Sequence, residues 1–180
     1  KVKVISSVAM TAKKIAVGNG FDKDTRMGPM ANERGPEGLA KKIADAKNHG
    51  AKLDTGGERI GNQGFFFEPT VLSEVPTEAE IMNEEPFGPI ALINPMAGAD
   101  AIIEEANRLP YGLAAYAWTN DPVLRSRLAA DVEAGMLAIN GANVSAPDAP
   151  FGGVKWSGFG REDGAEGVMH CMVAKTIHEG

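Results

Sequence analysis

The sequence predicts an α/β fold, and three observations favour this class. Helical, strand-like and turn signals alternate along the 180 residues, as they do in chains that pack helices against sheets. Hydrophobic residues make up 43% of the chain and charged residues 23%, which is typical of a protein with a buried core. One domain is the default at this length, and it is large enough to form a core without disulfides.

The first half is predicted to hold two helices and several short strands. Apolar side chains recur at helical spacing through residues 1–17, and a loop rich in Gly, Pro and Asp follows at residues 18–29. A second helix is expected from near Asn32, a candidate N-cap, to residue 48, with Leu39 and Ile43 on its apolar face. Strand-like runs occupy residues 51–53, 65–67, 70–75 and 90–94.

The second half repeats this alternation before a long loop. Helices are expected at residues 100–108 and 121–135, and the second begins with a capping Asp121 followed by Pro122. Residues 113–118 and 136–140 are expected to be buried strands. Residues 141–164 are rich in Gly and Pro, and loops this long in compact domains tend to be functional. A short helix near Ala165 and a strand at residues 171–177 complete the prediction.

Charge and cysteine content exclude several classes of function. The net charge of -6 and a pI near 5.1 argue against nucleic acid and anionic membrane surfaces as partners. The single cysteine, Cys171, excludes an internal disulfide, and no apolar run approaches the roughly 20 residues that span a bilayer. The three histidines and Cys171 have no zinc-site spacing, so no metal is expected. We therefore expect a cytoplasmic protein.

Two segments carry features that a purely structural role does not require. In Glu84-Glu85-Pro86-Phe87-Gly88-Pro89, a backbone fixed by proline holds a carboxylate beside an aromatic ring. A carboxylate can accept both hydroxyls of a ribose, and a ring can pack against a flat heterocycle. The alternative is a structural turn with a solvated glutamate. Residues 150–162 combine glycines with aromatic side chains, which fits either close approach to a ligand or a packed Ω-like loop.

Together these segments resemble the C-terminal part of the catalytic domain of the aldehyde dehydrogenase superfamily. Order and spacing fit over essentially the whole chain. The run from Gly112 to Tyr116 and the ten-residue step from Asn140 to Pro150 are most similar to members of the succinate-semialdehyde type. The matching stretches are Gly18-Asn19, Met27-Gly28-Pro29, residues 83–89, residues 111–116, Ile139-Asn140 and residues 150–162.

The resemblance implies a fold, a reaction and a set of cofactor-binding residues. The fold would be a catalytic lobe with a mostly parallel sheet flanked by helices and a C-terminal assembly strand. The family oxidises aldehydes to acids with NAD or NADP, through a cysteine thiolate and a glutamate-activated water. Glu85 would hold the nicotinamide ribose hydroxyls, Phe87 would pack by the nicotinamide ring, and Leu113 would lie close to it. Gly35-Pro36 departs from members that place polar cofactor-contacting side chains on this helix.

The resemblance also implies a small aldehyde as the substrate. Phe151 would line the aldehyde pocket, and Asn143 and Ser145 would lie on the loop that shapes the substrate tunnel. The Ser145 hydroxyl can donate a hydrogen bond to a carboxylate, which favours succinic semialdehyde. Betaine-type, glutamate-semialdehyde and aliphatic aldehydes stay open as alternatives, as does the choice between NAD and NADP.

In the family, the catalytic cysteine, the general base and the Rossmann cofactor domain lie upstream of the segment that this chain matches. Residues 1–180 are therefore expected to be a partial catalytic domain that has no catalytic residue of its own and is inactive alone. Cys171 matches no family nucleophile. Residues from about 168 to 180 would form an oligomerisation strand, which implies a homo-oligomer. The rival interpretation is a non-catalytic ligand-binding or assembly module with the same fold.

Overall fold

In a computed structural model of the chain, residues 2–180 are described, with only the backbone of Val2. They divide into two compact units, one running to Pro95 and the other from Met96 to Gly180. The α/β class is confirmed, because helices and short strands alternate in both units. No helix of the described chain is long and apolar enough to cross a membrane.

The first unit packs two helices with a three-stranded sheet. Its elements are α1 (Val2–Lys13), α2 (Arg34–Asn48), β1 (Lys52–Thr55), β2 (Thr70–Ser73), a 3-10 turn (Glu80–Met82) and β3 (Ile90–Ile93). The strand order is β1-β2-β3, with β1 antiparallel and β3 parallel to the central β2. All four residues of β2 are buried, as expected for a strand with neighbours on both edges.

The core of this unit forms where α2 meets the sheet. Leu39, Ile43 and Ala46 lie on one helix face at intervals of four and three residues, and they are buried with Phe67 and Leu72. Burial of such side chains contributes about 1.5–3 kcal/mol each. The predicted N-cap at Asn32 is wrong, because the N-cap is Glu33 and its side chain makes no capping hydrogen bond. The Asn32 side chain accepts the Arg34 N–H at 3.1 Å, just before the helix. The helix begins at Arg34, two residues later than expected.

The second unit contains three helices and two strand pairs. Its elements are α3 (Gly98–Asn107), β4 (Tyr111–Gly112), β5 (Ala114–Ala117), α4 (Pro122–Asp131), β6 (Met136–Ile139), β7 (Val154–Lys155) and α5 (Gly164–His170). β5 and β6 pair in parallel, and β4 pairs antiparallel with β7. The predicted cap of α4 is confirmed, because the Asp121 carboxylate accepts the N–H groups of Val123 and Leu124.

An asparagine side chain completes a strand end in each unit. Asn140, which follows β6, accepts the Thr119 N–H and donates to the Thr119 carbonyl, both at 2.9 Å. Asn94, which follows β3, makes the same pair of bonds with Val75 at 2.7 and 2.8 Å. In both cases the side-chain amide replaces a backbone amide at the end of a ladder. Asn140 also has a positive φ of 57°, which turns the chain out of the strand.

The strands form three separate sheets in the described residues, and not one mostly parallel sheet. Parallel pairs (β2 with β3, and β5 with β6) stand beside antiparallel pairs (β1 with β2, and β4 with β7). The strands are two to four residues long, so Gly and Pro between them end each ladder early. Residues 65–67 do not form the expected strand, since only Phe67 makes an isolated bridge, with Arg59.

Two sequence-based expectations for the second unit are not met within the single chain. Residues 171–177 are not a strand: α5 ends at His170, and residues 172–180 have no regular structure. A strand needs a neighbour for its backbone N–H and C=O groups, and the described chain offers none there. The strand in residues 113–118 is not buried either. Tyr116 and Trp118 are exposed while Ala115 and Ala117 are half-buried, the alternation of a strand with one covered face.

Candidate functional site

The segment we call the site loop, residues 83–89, is anchored at both ends in the first unit. At its start, the Glu84 N–H donates to the Glu80 carbonyl at 2.9 Å, which continues the 3-10 turn. At its end, the Pro89 carbonyl accepts the Thr70 N–H at 2.8 Å, which joins the loop to β2. The backbone at Gly88 packs so closely on α2 that an added Cβ would lie 2.7 Å from a Leu39 methyl. The loop is therefore held against α2 and the sheet.

The two adjacent carboxylates of the site loop have different surroundings. Glu84 accepts a hydrogen bond from Lys42 Nζ at 2.7 Å, and this bond lowers the pKa of Glu84 below its ordinary value. Burial lowers the pKa of Lys42, but hydrogen bonds to Glu80 and Glu84 outweigh it and leave that pKa raised. Glu85 is exposed and makes no ion pair within the described residues. Of the two carboxylates, Glu85 is the one available to a ligand.

The Phe87 ring stands at the edge of an open cleft. Its side chain is 78% exposed, and it lines a cleft of about 630 Å³ together with Met30, which precedes α2, and with Arg34 and Gly35 from the first turn of α2. Of the two predicted residues of the site loop, Phe87 lines this cleft and Glu85 does not. Sequence reasoning did not single out Arg34. Its position in the first turn of α2 was the available signal.

In the second unit, Leu113 and Phe151 line one cavity of about 320 Å³. Leu113 lies between β4 and β5, and its carbonyl accepts the Met136 N–H at 3.1 Å. Phe151 and Glu162 exchange two backbone hydrogen bonds of 2.7 Å, which close the loop between them. The structure therefore places the predicted Leu113 and Phe151 on the same cavity wall.

The loop from residue 151 to residue 162 is fixed by its own polar contacts. Arg161 Nη1 donates to the carbonyls of Gly153 and Gly160 at 2.8 and 2.6 Å. Lys155, which has a positive φ of 55°, donates to two carbonyls that follow α3, at residues 107 and 109, and pairs with Glu133. These contacts hold the backbone of the loop, but Trp156 and Phe159 are exposed, so the loop is not packed as the Ω-like interpretation expects. Phe151 lines the cavity. Sequence reasoning missed Lys155 because its partners lie more than 20 residues away.

The substrate-loop residues Asn143 and Ser145 form one local turn. The Asn143 side-chain oxygen accepts the Ser145 N–H at 3.0 Å, so this asparagine shapes the backbone. Both residues are exposed, and the Ser145 hydroxyl has no hydrogen-bond partner in the described part of the chain. The hydroxyl is therefore the available polar group of this turn.

The single thiol directly follows His170, which lines the cavity of Leu113 and Phe151. Cys171 is exposed and directly follows α5, and the neighbouring His170 ring bonds the Glu166 carbonyl at 2.8 Å. Among the residues described, no three His, Cys, Asp or Glu side chains are grouped so as to hold a metal ion.

The fold and these two sets of residues define a known class of protein. The chain belongs to the aldehyde dehydrogenase family, whose sequence pattern matches residues 1–177. Among characterised relatives, it is 40% identical over 163 residues to succinate-semialdehyde dehydrogenase (NADP+) 1 of Mycobacterium tuberculosis. That match covers 91% of this chain and 36% of the relative.

Solved structures agree with this assignment. The succinate-semialdehyde dehydrogenase of Burkholderia pseudomallei is 39% identical with a TM-score of 0.87, over 91% of this chain and 34% of that one. The NAD+ complex of an aldehyde dehydrogenase from Bacillus cereus is 36% identical with a TM-score of 0.87, over 92% and 34%. This chain therefore spans about a third of the length of the relatives that it matches.

Proposed function

We propose that this chain forms one wall of the cofactor and substrate sites of an NAD- or NADP-dependent aldehyde dehydrogenase. The observation that carries the proposal is the site loop: Glu85 is exposed and unpaired beside an exposed Phe87, while its neighbour Glu84 is held by Lys42. A free carboxylate beside an aromatic face suits a ribose joined to a flat ring. The names of the relatives, which include NADP-dependent and NAD+-bound enzymes, support the same cofactor class.

The residue types suit a nicotinamide cofactor, and each residue would make one simple contact with it. Glu85 would accept the hydroxyls of the nicotinamide ribose, Phe87 would pack by the ring, and Leu113 would supply an apolar contact. When bound, the cofactor supplies the hydride acceptor for aldehyde oxidation. Phe151 would exclude water from the aldehyde, since an aromatic side chain on a cavity wall leaves no polar group for water to bind.

The proposed substrate is succinic semialdehyde, which carries a carboxylate as well as the aldehyde. The unpaired hydroxyl of Ser145, held in an Asx turn by Asn143, can donate a hydrogen bond to that carboxylate. The names of the most similar relatives support this choice. We expect Ser145→Ala to lower kcat/KM for succinic semialdehyde about tenfold and to leave an apolar aldehyde within about twofold. Equal losses for both aldehydes would contradict the assignment.

The 180 residues alone are proposed to be inactive, because their only cysteine, Cys171, is exposed after α5 and matches no nucleophile of the family. The test is production of NADH or NADPH by the purified chain with succinic semialdehyde, with Cys171→Ala beside it. No turnover is expected from either protein, whereas the product of the whole gene should be active with one of the two cofactors. Turnover by the chain that is abolished by Cys171→Ala would refute the proposal.

We also propose that residues from about 168 to 180 pair with another copy of the protein. In the single chain these residues are exposed and, after α5, have no strand partner. Removing residues 171–180 from the product of the whole gene should lower its mass in analytical ultracentrifugation. An unchanged oligomeric mass would rule out this role.

A further inference from the structure

We propose that Lys42 is a positioning residue for the cofactor: by holding Glu80 and Glu84 together, it leaves Glu85 as the carboxylate that faces the ligand. This inference rests on the proposed function and deepens it, because it names the side chain that determines which of two adjacent glutamates, Glu84 or Glu85, faces the cofactor. Lys42 lies on α2, and its partners lie on the 3-10 turn and on the site loop.

The geometry around Lys42 is a two-carboxylate clamp. Its Nζ lies 2.6 Å from Glu80 Oε1 and 2.7 Å from Glu84 Oε2. The Lys42 side chain is only 13% exposed, whereas that of Glu84 is 68% exposed. The Lys42 side chain is thus largely covered, and its ammonium group is bonded to these two carboxylates, since a partly buried charge needs partners. The clamp is therefore directional: it draws Glu84 towards α2.

Glu84 and Glu85 have the same chemistry, so a further contact is needed to determine which of the two carboxylates faces the ligand. Without Lys42, Glu84 and Glu85 would repel each other, and either could turn towards a ribose. With Lys42 in place, the charge of Glu84 is compensated and its oxygen is occupied. Glu85 is then the single free carboxylate of the site loop, beside the exposed ring of Phe87. This arrangement reduces the number of conformations that cofactor binding must select among.

The clamp is separable from the contacts that hold the turn itself. The Glu80 N–H donates to the Asp45 carboxylate at 2.8 Å. The Asn83 side chain donates to the carbonyls of Thr77 and Ala79 at 2.7 and 3.0 Å. None of these bonds involves Lys42. Its removal should therefore release Glu84 and loosen the backbone of the site loop that follows, and leave the turn at residues 80–82 folded.

The test compares three variants of the product of the whole gene. Lys42→Met removes the charge and keeps the length of the side chain, and Lys42→Arg restores a cation that can bridge two carboxylates. Lys52→Met is the matched control, because Lys52 also pairs with a glutamate at 2.6 Å in the first unit, on β1 and away from the site loop. The readouts are kcat, KM for NAD and NADP, and hydrogen exchange of a peptide covering residues 82–88.

We expect Lys42→Met to raise KM for the cofactor about five- to tenfold, with kcat at saturating cofactor within about twofold. Lys42→Arg should bring KM back to within about twofold of the parent value. Lys52→Met should leave both constants unchanged. Exchange in residues 82–88 should rise in Lys42→Met alone. An unchanged KM in Lys42→Met, or an equal rise in Lys52→Met, would overturn the proposal.

The same experiment separates this inference from the proposed function. If the parent protein oxidises no aldehyde with either cofactor, the proposed function fails, and cofactor positioning fails with it. Hydrogen exchange would then still show whether Lys42 orders the site loop. If the parent is active but exchange and KM are both unaffected by Lys42→Met, only the positioning role is refuted.

Discussion

Replacing Asn140 with alanine tests whether a side-chain amide completes the pair of strands β5 and β6. The change removes the two 2.9 Å hydrogen bonds to Thr119 and places an alanine at a φ of 57°. Each bond contributes about 0.5–1 kcal/mol net, the lower half of the usual range, because the site is exposed. A left-handed alanine costs about 1 kcal/mol more. We therefore expect the free energy of unfolding to fall by about 2–3 kcal/mol.

Two further substitutions at this position separate the contributions. Asn140→Gly relieves the backbone strain but still lacks both hydrogen bonds, so it should cost about 1 kcal/mol less than alanine. Asn140→Asp keeps the acceptor for the Thr119 N–H, loses the donor and tolerates the positive φ, so it should retain that bond. The measurements are urea unfolding followed by circular dichroism and amide exchange of Thr119. If Thr119 stays protected in Asn140→Ala, the reasoning is wrong.

Three further predictions concern the site and its support. Gly135→Ala should lower the free energy of unfolding by at least about 2 kcal/mol, because the added Cβ would collide with the Gly152 carbonyl. Gly141→Ala is the control, because a Cβ at Gly141 meets nothing within 4 Å. Equal midpoints of urea unfolding for the two variants would contradict the clash. Lys155→Met should lower the melting temperature of the whole gene product and reduce its aldehyde turnover, since the backbone carbonyls at residues 107 and 109 lose their donor. An unchanged melting temperature and unchanged turnover would show that the loop is stable without Lys155. Because its lysine partner lowers the pKa of Glu84 from 4.5, the stabilisation from Glu84 is present above that pH and is lost as the pH falls through the depressed pKa. Acid unfolding curves of the parent and Glu84→Gln should therefore converge at low pH, and a constant difference between them would refute this.

The sequence was sufficient for features whose causes are local. Leu39 and Ile43 mark the buried face of α2 by their spacing, and Asp121 followed by Pro122 marks the start of α4, so both could be predicted. The rigid character of the site loop also followed from its prolines. Its resemblance to a family then supplied the roles of Glu85 and Phe87, which remain predictions.

Other features depend on partners that are distant in the chain. Nothing near Glu84 in sequence shows that it is held by Lys42, more than 40 residues earlier, so the two glutamates could not be distinguished. The strand expected at residues 171–177 is absent from the single chain for the same reason: a strand forms only where a neighbour supplies hydrogen bonds. The prediction from sequence therefore fails where the partner of a residue lies far away in the chain, because composition does not reveal such partners.

The amide of Asn140 has a consequence for the chemical ageing of the protein. Asn140 is followed by Gly141, and an asparagine before glycine is prone to lose ammonia through attack of the next backbone nitrogen on its side chain. Here the side-chain amide is bonded at both its oxygen and its nitrogen, which holds it away from that reaction. Deamidation at this position should therefore be slow while β6 is paired and fast once it opens. The fraction of aspartate and isoaspartate at residue 140, measured by mass spectrometry with and without urea, would therefore increase with the time that a sample of the protein has spent unfolded.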